Sequence, residues 1–83
     1  MSTIAITMRL FGAFRNYGPS VEFPVPSGST IADIKDALAK VLGVSAKNLV
    51  ADSAIADTQT ILPGDYVVSA DAKLSILPPV CGG

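Results

Sequence analysis

The 83-residue chain has no histidine, no tryptophan and a single cysteine, and these gaps remove whole classes of chemistry. Without histidine, imidazole-based acid–base catalysis is excluded, and with one thiol beside it zinc sites and iron–sulfur clusters are excluded too. One cysteine cannot close an internal disulfide. Charge is also scarce: 16% of residues are charged, six basic against seven acidic, for a formal net charge of −1. Lys and Arg form no run, so neither nucleic acid nor a membrane surface is expected as a partner, since both demand a basic patch. No apolar stretch approaches the ~20 residues that span a bilayer. The opening residues alternate in polarity instead of placing a basic segment before an apolar run, so no signal peptide is expected. A cytosolic, reducing compartment is the expected setting, and a lone thiol is at home there.

What the chain does have is apolar content, 49% of its residues. That rules out a disordered tail and predicts one small domain. A chain this short buries only about 60% of the surface its unfolded form exposes, so every element must contribute to one core.

Residues 3–11 alternate, with Ile4, Ile6, Met8 and Leu10 on one face and Thr3, Ala5, Thr7, Arg9 and Phe11 on the other. Period 2 with β-branched enrichment predicts a strand with one buried face. Gly12 to Ser20 reads as a turn, and 21–25 as a second strand with Val21, Phe23 and Val25 inward. Pro24 and Pro26 place that strand at an edge, because proline donates no ladder hydrogen bond. One helix follows. Thr30 is its N-cap, Asp33 completes a capping-box spacing, and Gly43 ends it. Ile31, Ile34, Leu38, Val41 and Leu42 form the expected buried stripe. Beyond it, 48–56 reads as a strand, 59–62 as a short extended piece, Pro63-Gly64 as a turn with positive φ at the glycine, 66–68 as extended and 73–77 as the last strand. Hairpin, helix, then further strands is the order of an α+β β-grasp domain: a mixed sheet of four to five strands with one main helix on one face.

The domain is expected to span 1–77, with 78–83 as a protruding flexible tail. Pro78-Pro79 stiffens the base as polyproline II, and Gly82-Gly83 leaves the tip as thin as a peptide can be. Fully extended, such a tail reaches roughly 20 Å. A stiff base and thin tip ending in a carboxylate suit a segment threaded into another protein's active site.

Leu77-Pro78-Pro79-Val80-Cys81-Gly82-Gly83 resembles the end of the small subunit of molybdopterin synthase, which closes on Pro-Pro-Val, a variable residue and Gly-Gly. Arg9-Leu10-Phe11-Gly12-Ala13-Phe14-Arg15 resembles that family's first strand and following turn. Related ubiquitin-like sulfur carriers, including the thiamine carrier, share the Gly-Gly but usually lack Pro-Pro. The resemblance implies a carrier whose terminal Gly83, behind Gly82, is adenylated and then converted to a thiocarboxylate. It implies as partners a ubiquitin-activating-type adenylyltransferase using ATP and magnesium, a persulfide sulfur donor, and the molybdopterin synthase large subunit or another sulfur-accepting enzyme. Pathways to thiamine, cysteine or thiolated tRNA, and a protein modifier joined to lysines, remain alternatives. The chain holds no nucleotide loop of its own: Pro26-Ser27-Gly28-Ser29-Thr30 lacks the glycine spacing and lysine of a P-loop. No cofactor and no metal are therefore expected on the chain itself, and it is not expected to be catalytic alone.

Phe11 and Leu77 both fall on the outward face by the alternation, so two adjacent parallel strands would set them beside the tail's exit. They are read as a docking patch together with Pro78, Pro79 and Val80, the alternative being scattered surface apolars. Phe14 and Arg15 are secondary candidates, Phe14 with the alternative of closing one end of the core. Tyr17 and Tyr66 are read as structural. Asp52, Asp57, Asp65 and Asp71 are read as solvated surface. Cys81 occupies the variable position, and a thiol two residues from an activated carboxylate has a possible transfer role. No basic neighbour in sequence lowers its pKa, so the simpler reading is a small tolerated residue.

Overall fold

The computed structural model describes residues 2–57 and 60–78. Strand β1 (Thr3–Leu10) and strand β2 (Ser20–Pro26) form an antiparallel hairpin. A two-residue strand β3 (Ser29–Thr30) leads into helix α1 (Ile31–Leu42). A short helix α2 (Lys47–Ala51) follows, then β4 (Ala54–Ala56), β5 (Ile61–Leu62), β6 (Val67–Val68) and β7 (Ala72–Leu77). The main sheet is five-stranded in the order β2-β1-β7-β4-β5, with β1 and β7 parallel and the other pairs antiparallel, while β3 and β6 pair separately. This is the mixed sheet of a ubiquitin-like β-grasp domain.

Alternation decides which face of the sheet α1 covers. Ile4, Ile6, Met8 and Leu10 of β1, Phe23 and Val25 of β2, and Leu74 and Ile76 of β7 are buried in one core with Ile31, Ile34 and Leu38 of α1. The helix starts on a full capping box: Asp33 N–H donates to Thr30 Oγ1 (3.2 Å), and Thr30 N–H donates to Asp33 Oδ2 (3.1 Å). It ends at Gly43, whose φ of +106° favours glycine and whose N–H still reaches Ala39 O at 2.9 Å. The two prolines of β2 lie on the sheet's outer edge strand, where a missing donor is harmless.

Several local expectations give way. Val41 is 48% exposed, because it lies past the rim of the stripe that Ile34, Leu38 and the half-buried Leu42 define. The expected strand over 48–56 is a helix followed by a strand of Ala54–Ala56 alone. Its apolar residues do not alternate. Ala46, Leu49, Val50 and Ser53 recur at i, i+3, i+4 and i+7, and these are the positions α2 and its flanks turn inward. Ser53 Oγ donates to Leu49 O, and Lys35 Nζ on α1 donates to Ala51 O (3.1 Å) and Ser53 O (2.8 Å), closing off the helix's carbonyl end.

The segment after β1 is a 3-10 turn over Gly12–Tyr17 that tucks Phe14 fully into the core, so Phe14 closes the core's end and leaves the docking candidates. Tyr66 N–H closes a turn on Pro63 O at 3.0 Å. Gly64 is then its second residue, a position that takes ordinary negative φ, and it is not among the positive-φ glycines. Asp71 and Asp57 are more than solvated surface. Asp71 Oδ1 accepts from Ala5 N–H (2.8 Å), and Asp57 Oδ1 accepts from Thr60 N–H (2.8 Å). Among the described residues, no helix is long and apolar enough to cross a membrane.

Candidate functional site

The site candidates lie where β1 and β7 end. Their parallel register sets Arg9 beside Ser75 and Leu10 beside Ile76. One step further along the same register, Phe11 and Leu77 follow on the face turned away from α1. Leu77 also pairs with Ala54 of β4, and Ser75 with Ala56. Ala56 in turn pairs with Ile61 of β5. The open face therefore carries Arg9, Ser75, Ala56 and Ile61 in one cross-sheet row, with Phe11 and Leu77 just beyond it.

These side chains line one shallow concavity together with Lys73. Its apolar surface comes from Phe11, 36% exposed, Ile61, 62% exposed, and the half-buried Leu77. Arg9 leans over the Phe11 ring, its guanidinium carbon 5.5 Å from the ring centroid, which holds the aromatic in place by a cation–π contact. Arg9 and Lys73 flank one side of these apolar side chains and Asp57 lines the same concavity, so the surface fits a partner that offers an apolar anchor with polar groups of both signs around it.

Ile61 lines the candidate site and the sequence reading missed it. Its neighbour Leu62 is buried and pairs with Ile55, so the two-residue strand β5 turns Ile61 outward by pleat alone. A strand that short carries no alternation to read. The Asp57–Thr60 loop, closed by Asp57 N–H to Thr60 O at 3.0 Å, fixes where β5 starts.

Pro78 is the last residue described. It is half-buried, and its ring packs onto Gly12 at the end of β1. Pro79, Val80, Cys81, Gly82 and Gly83 lie outside the described residues. Of the expected patch, the structure thus brings Phe11, Leu77 and Pro78 together at one corner of the sheet and adds Ile61 to them. Among the other residues singled out from the sequence, Arg15 is exposed, and the exposed Tyr17 shares a 3.2 Å hydroxyl contact with Ser45 Oγ, a role in the fold. Among the described residues no group of His, Cys, Asp or Glu side chains is placed to hold a metal ion.

Comparison with known proteins follows the same lines. The ThiS family model matches residues 8–83. No curated protein sequence gives a significant match. The crystal structure of Haloferax volcanii small archaeal modifier protein 1 aligns with a TM-score of 0.78 at 17% identity, over 93% of this chain and 99% of that one. A Pyrococcus furiosus protein provisionally named molybdopterin converting factor, subunit 1, aligns with a TM-score of 0.76 at 20% identity, over 93% and 99% of the two chains. Ubiquitin of Caldiarchaeum subterraneum aligns at 0.68 and 15% identity, over 99% and 100%. At these identities the structural likeness is one of fold.

Proposed function

The chain belongs to the ThiS family of ubiquitin-like sulfur carriers, and from that premise we propose that it carries sulfur as a thiocarboxylate on Gly83 and delivers it as the small subunit of a molybdopterin synthase. The observation that supports this most is the course of β7. It is an interior strand of the sheet, flanked by β1 and β4, and it ends at Leu77, which lines the patch with Arg9, Phe11 and Ile61, and Pro78 follows. A partner that grips this patch thereby receives the chain's end from a fixed, hydrogen-bonded root. Recognition and delivery are both served by one approach.

The chemistry asks little of the carrier. The Gly83 carboxylate attacks the α-phosphate of ATP in the adenylyltransferase, and pyrophosphate leaves. The terminal sulfur of a persulfide then attacks the acyl carbon and AMP leaves, forming an acyl disulfide. A second thiol attacks the donor's sulfur, forms a disulfide with it, and the thiocarboxylate leaves. Glycine at the end leaves no Cβ to crowd the carbonyl. ATP, magnesium and the persulfide belong to the partners. In the large subunit the thiocarboxylate gives its sulfur to the pterin precursor, and water restores the carboxylate. The Pro-Pro-Val string supports this acceptor over the thiamine pathway.

The test is intact mass after incubation with ATP, magnesium, an adenylyltransferase and a persulfide donor. The expected gain is about 16 Da, oxygen exchanged for sulfur at the terminal acyl group. Deleting Gly83 is expected to abolish it with the fold unchanged, because a terminal residue contributes little to stability. Full conversion of the truncated chain overturns the assignment. Lysine conjugates on a denaturing gel in place of the mass gain would instead move the reading to a protein modifier, which is what the Haloferax neighbour is named.

A further inference from the structure

Gly12 and Pro78 meet at the root of the tail. Gly12 follows Phe11 at the end of β1 with φ +57°, and Pro78 follows Leu77 at the end of the parallel neighbour β7. A Cβ placed on Gly12 would lie 2.7 Å from Pro78 Cγ, with Pro78 Cδ and Cβ at 3.7 and 3.8 Å. Carbon atoms settle at about 3.5–4.0 Å, so nothing larger than hydrogen fits at position 12 while the ring stays where it is. The glycine meets two demands, a left-handed backbone and the close approach of a ring. The second demand faces the tail.

We propose that Gly12 is a positioning residue for the terminal chemistry: by admitting the Pro78 ring against the body, it sets the heading with which the chain leaves for Gly83. The inference rests on the carrier reading above and adds to it a residue with no contact to the reacting carbon. The argument turns on the proline. A flexible side chain pressed by a new Cβ would swing away and leave the main chain in place. The Pro78 ring closes on its own backbone nitrogen, so a change of pucker gives Cγ only part of the relief and the rest must come from the main chain. Relieving the contact at position 12 takes up to about 1 Å, shared between the ring pucker and the root. From there five residues lead to Gly83, a lever of at most about 17 Å. A misplacement of that size at a reacting group costs up to ~100-fold in rate. Of the patch, Pro78 shifts while Phe11, Leu77 and Ile61 keep their places, so the loss should fall mainly on turnover.

The experiment follows thiocarboxylate formation by intact mass, at varied carrier concentration, with adenylyltransferase, ATP, magnesium and a persulfide donor. G12A is expected to lower kcat about tenfold with KM within about twofold of the parent. G12N tolerates left-handed φ better yet keeps a Cβ, so it should show the same kcat loss with a smaller fall in Tm. P78A removes Cγ and Cδ, and should lower kcat only about threefold by loosening the root. The double variant G12A/P78A should then return to the P78A level, because the atom that clashed is gone. If G12A does not fold, the double variant at the P78A level still supports the inference. G12A or G12N turning over at the parental kcat overturns it, and so does a double variant worse than both singles, which would make strain in the fold the cause. A parent protein that gains no mass overturns the carrier reading itself.

Discussion

The two faces of β1 and β7 share one backbone and differ in what they carry. Toward α1, Ile4, Ile6, Met8 and Leu10 of β1 present apolar side chains alone, and Leu74 and Ile76 continue the same packing. Away from α1 the face changes character along its length. It begins with Thr3 and continues with Thr7, whose hydroxyl donates to Glu22 Oε2 at 3.3 Å, and with Lys73 on the neighbouring strand. Only where both strands end does it turn apolar, at Phe11 and Leu77, with Ile61 reaching in from β5. A sheet exposing apolar residues by chance would scatter them. On this face they gather at one end, beside the root of the tail, while Val41, Val44 and Val67 are exposed elsewhere on the domain. On the proposed reading, burial serves folding and this exposure serves binding within a single strand.

The largest effect should come from breaking the inner face. Ile6 is fully buried, and Ile6→Ala is expected to cost about 2–5 kcal/mol in chemical denaturation, from lost transfer energy plus the cavity left behind. Below its melting range the variant should still load sulfur at the parental rate. A folded Ile6→Ala chain that fails to bind the adenylyltransferase would mean that the two faces are not separable.

On the outer face, Phe11→Ala, Ile61→Ala and Leu77→Ala should each reduce affinity for that enzyme by about 1–4 kcal/mol, as anchors in an interface do. Titration calorimetry gives the affinity, and thermal unfolding of the same samples should move little. A sharp loss of Tm with affinity intact would return these side chains to the core.

Asp71 sharpens the division because it is exposed and yet belongs to the fold. Its carboxylate takes the Ala5 amide one step beyond the first β1–β7 pair, Ile6 with Ala72, and so extends the parallel ladder by a side chain. Asp71→Ala should cost about 1 kcal/mol of stability, the usual value of one such bond, and leave docking unchanged.

How much of this was legible in the sequence depends on how many residues carried each signal. Strand β1 spans Thr3–Leu10 and α1 spans Ile31–Leu42, long enough for period 2 and period 3.6 to show, and Thr30 with Asp33 marked the helix start outright. The outward parity of Phe11 and Leu77 followed from those strands. The segment around Leu49 was misread because its helix is five residues long and draws its support from Lys35 and Ser53, contacts distant in sequence or visible only once folded. Ile61 was invisible for the same reason, since β5 is shorter than one full alternation. The Gly12–Pro78 contact joins residues at opposite ends of the chain, and no local pattern announces it.

The smallest expected effect tests the division at the tail. If recognition rests on the patch and reaction on the Gly83 carboxylate, a side chain between them needs only to be small enough to thread. Cys81→Ser keeps that size and removes the thiol, so thiocarboxylate should form at the parental rate. The sulfur in this scheme is held by the terminal acyl group, and the donor's own persulfide supplies it. The substitution should also abolish the disulfide-linked dimer that an accessible tail thiol allows on storage without reductant, seen by non-reducing electrophoresis. A loss of loading of about tenfold or more, equivalent to about 1.4 kcal/mol in the barrier, would contradict this. The Cys81 thiol would then belong to the transfer step, as a transient disulfide partner of the sulfur donor, and the tail would be a third region with a chemistry of its own.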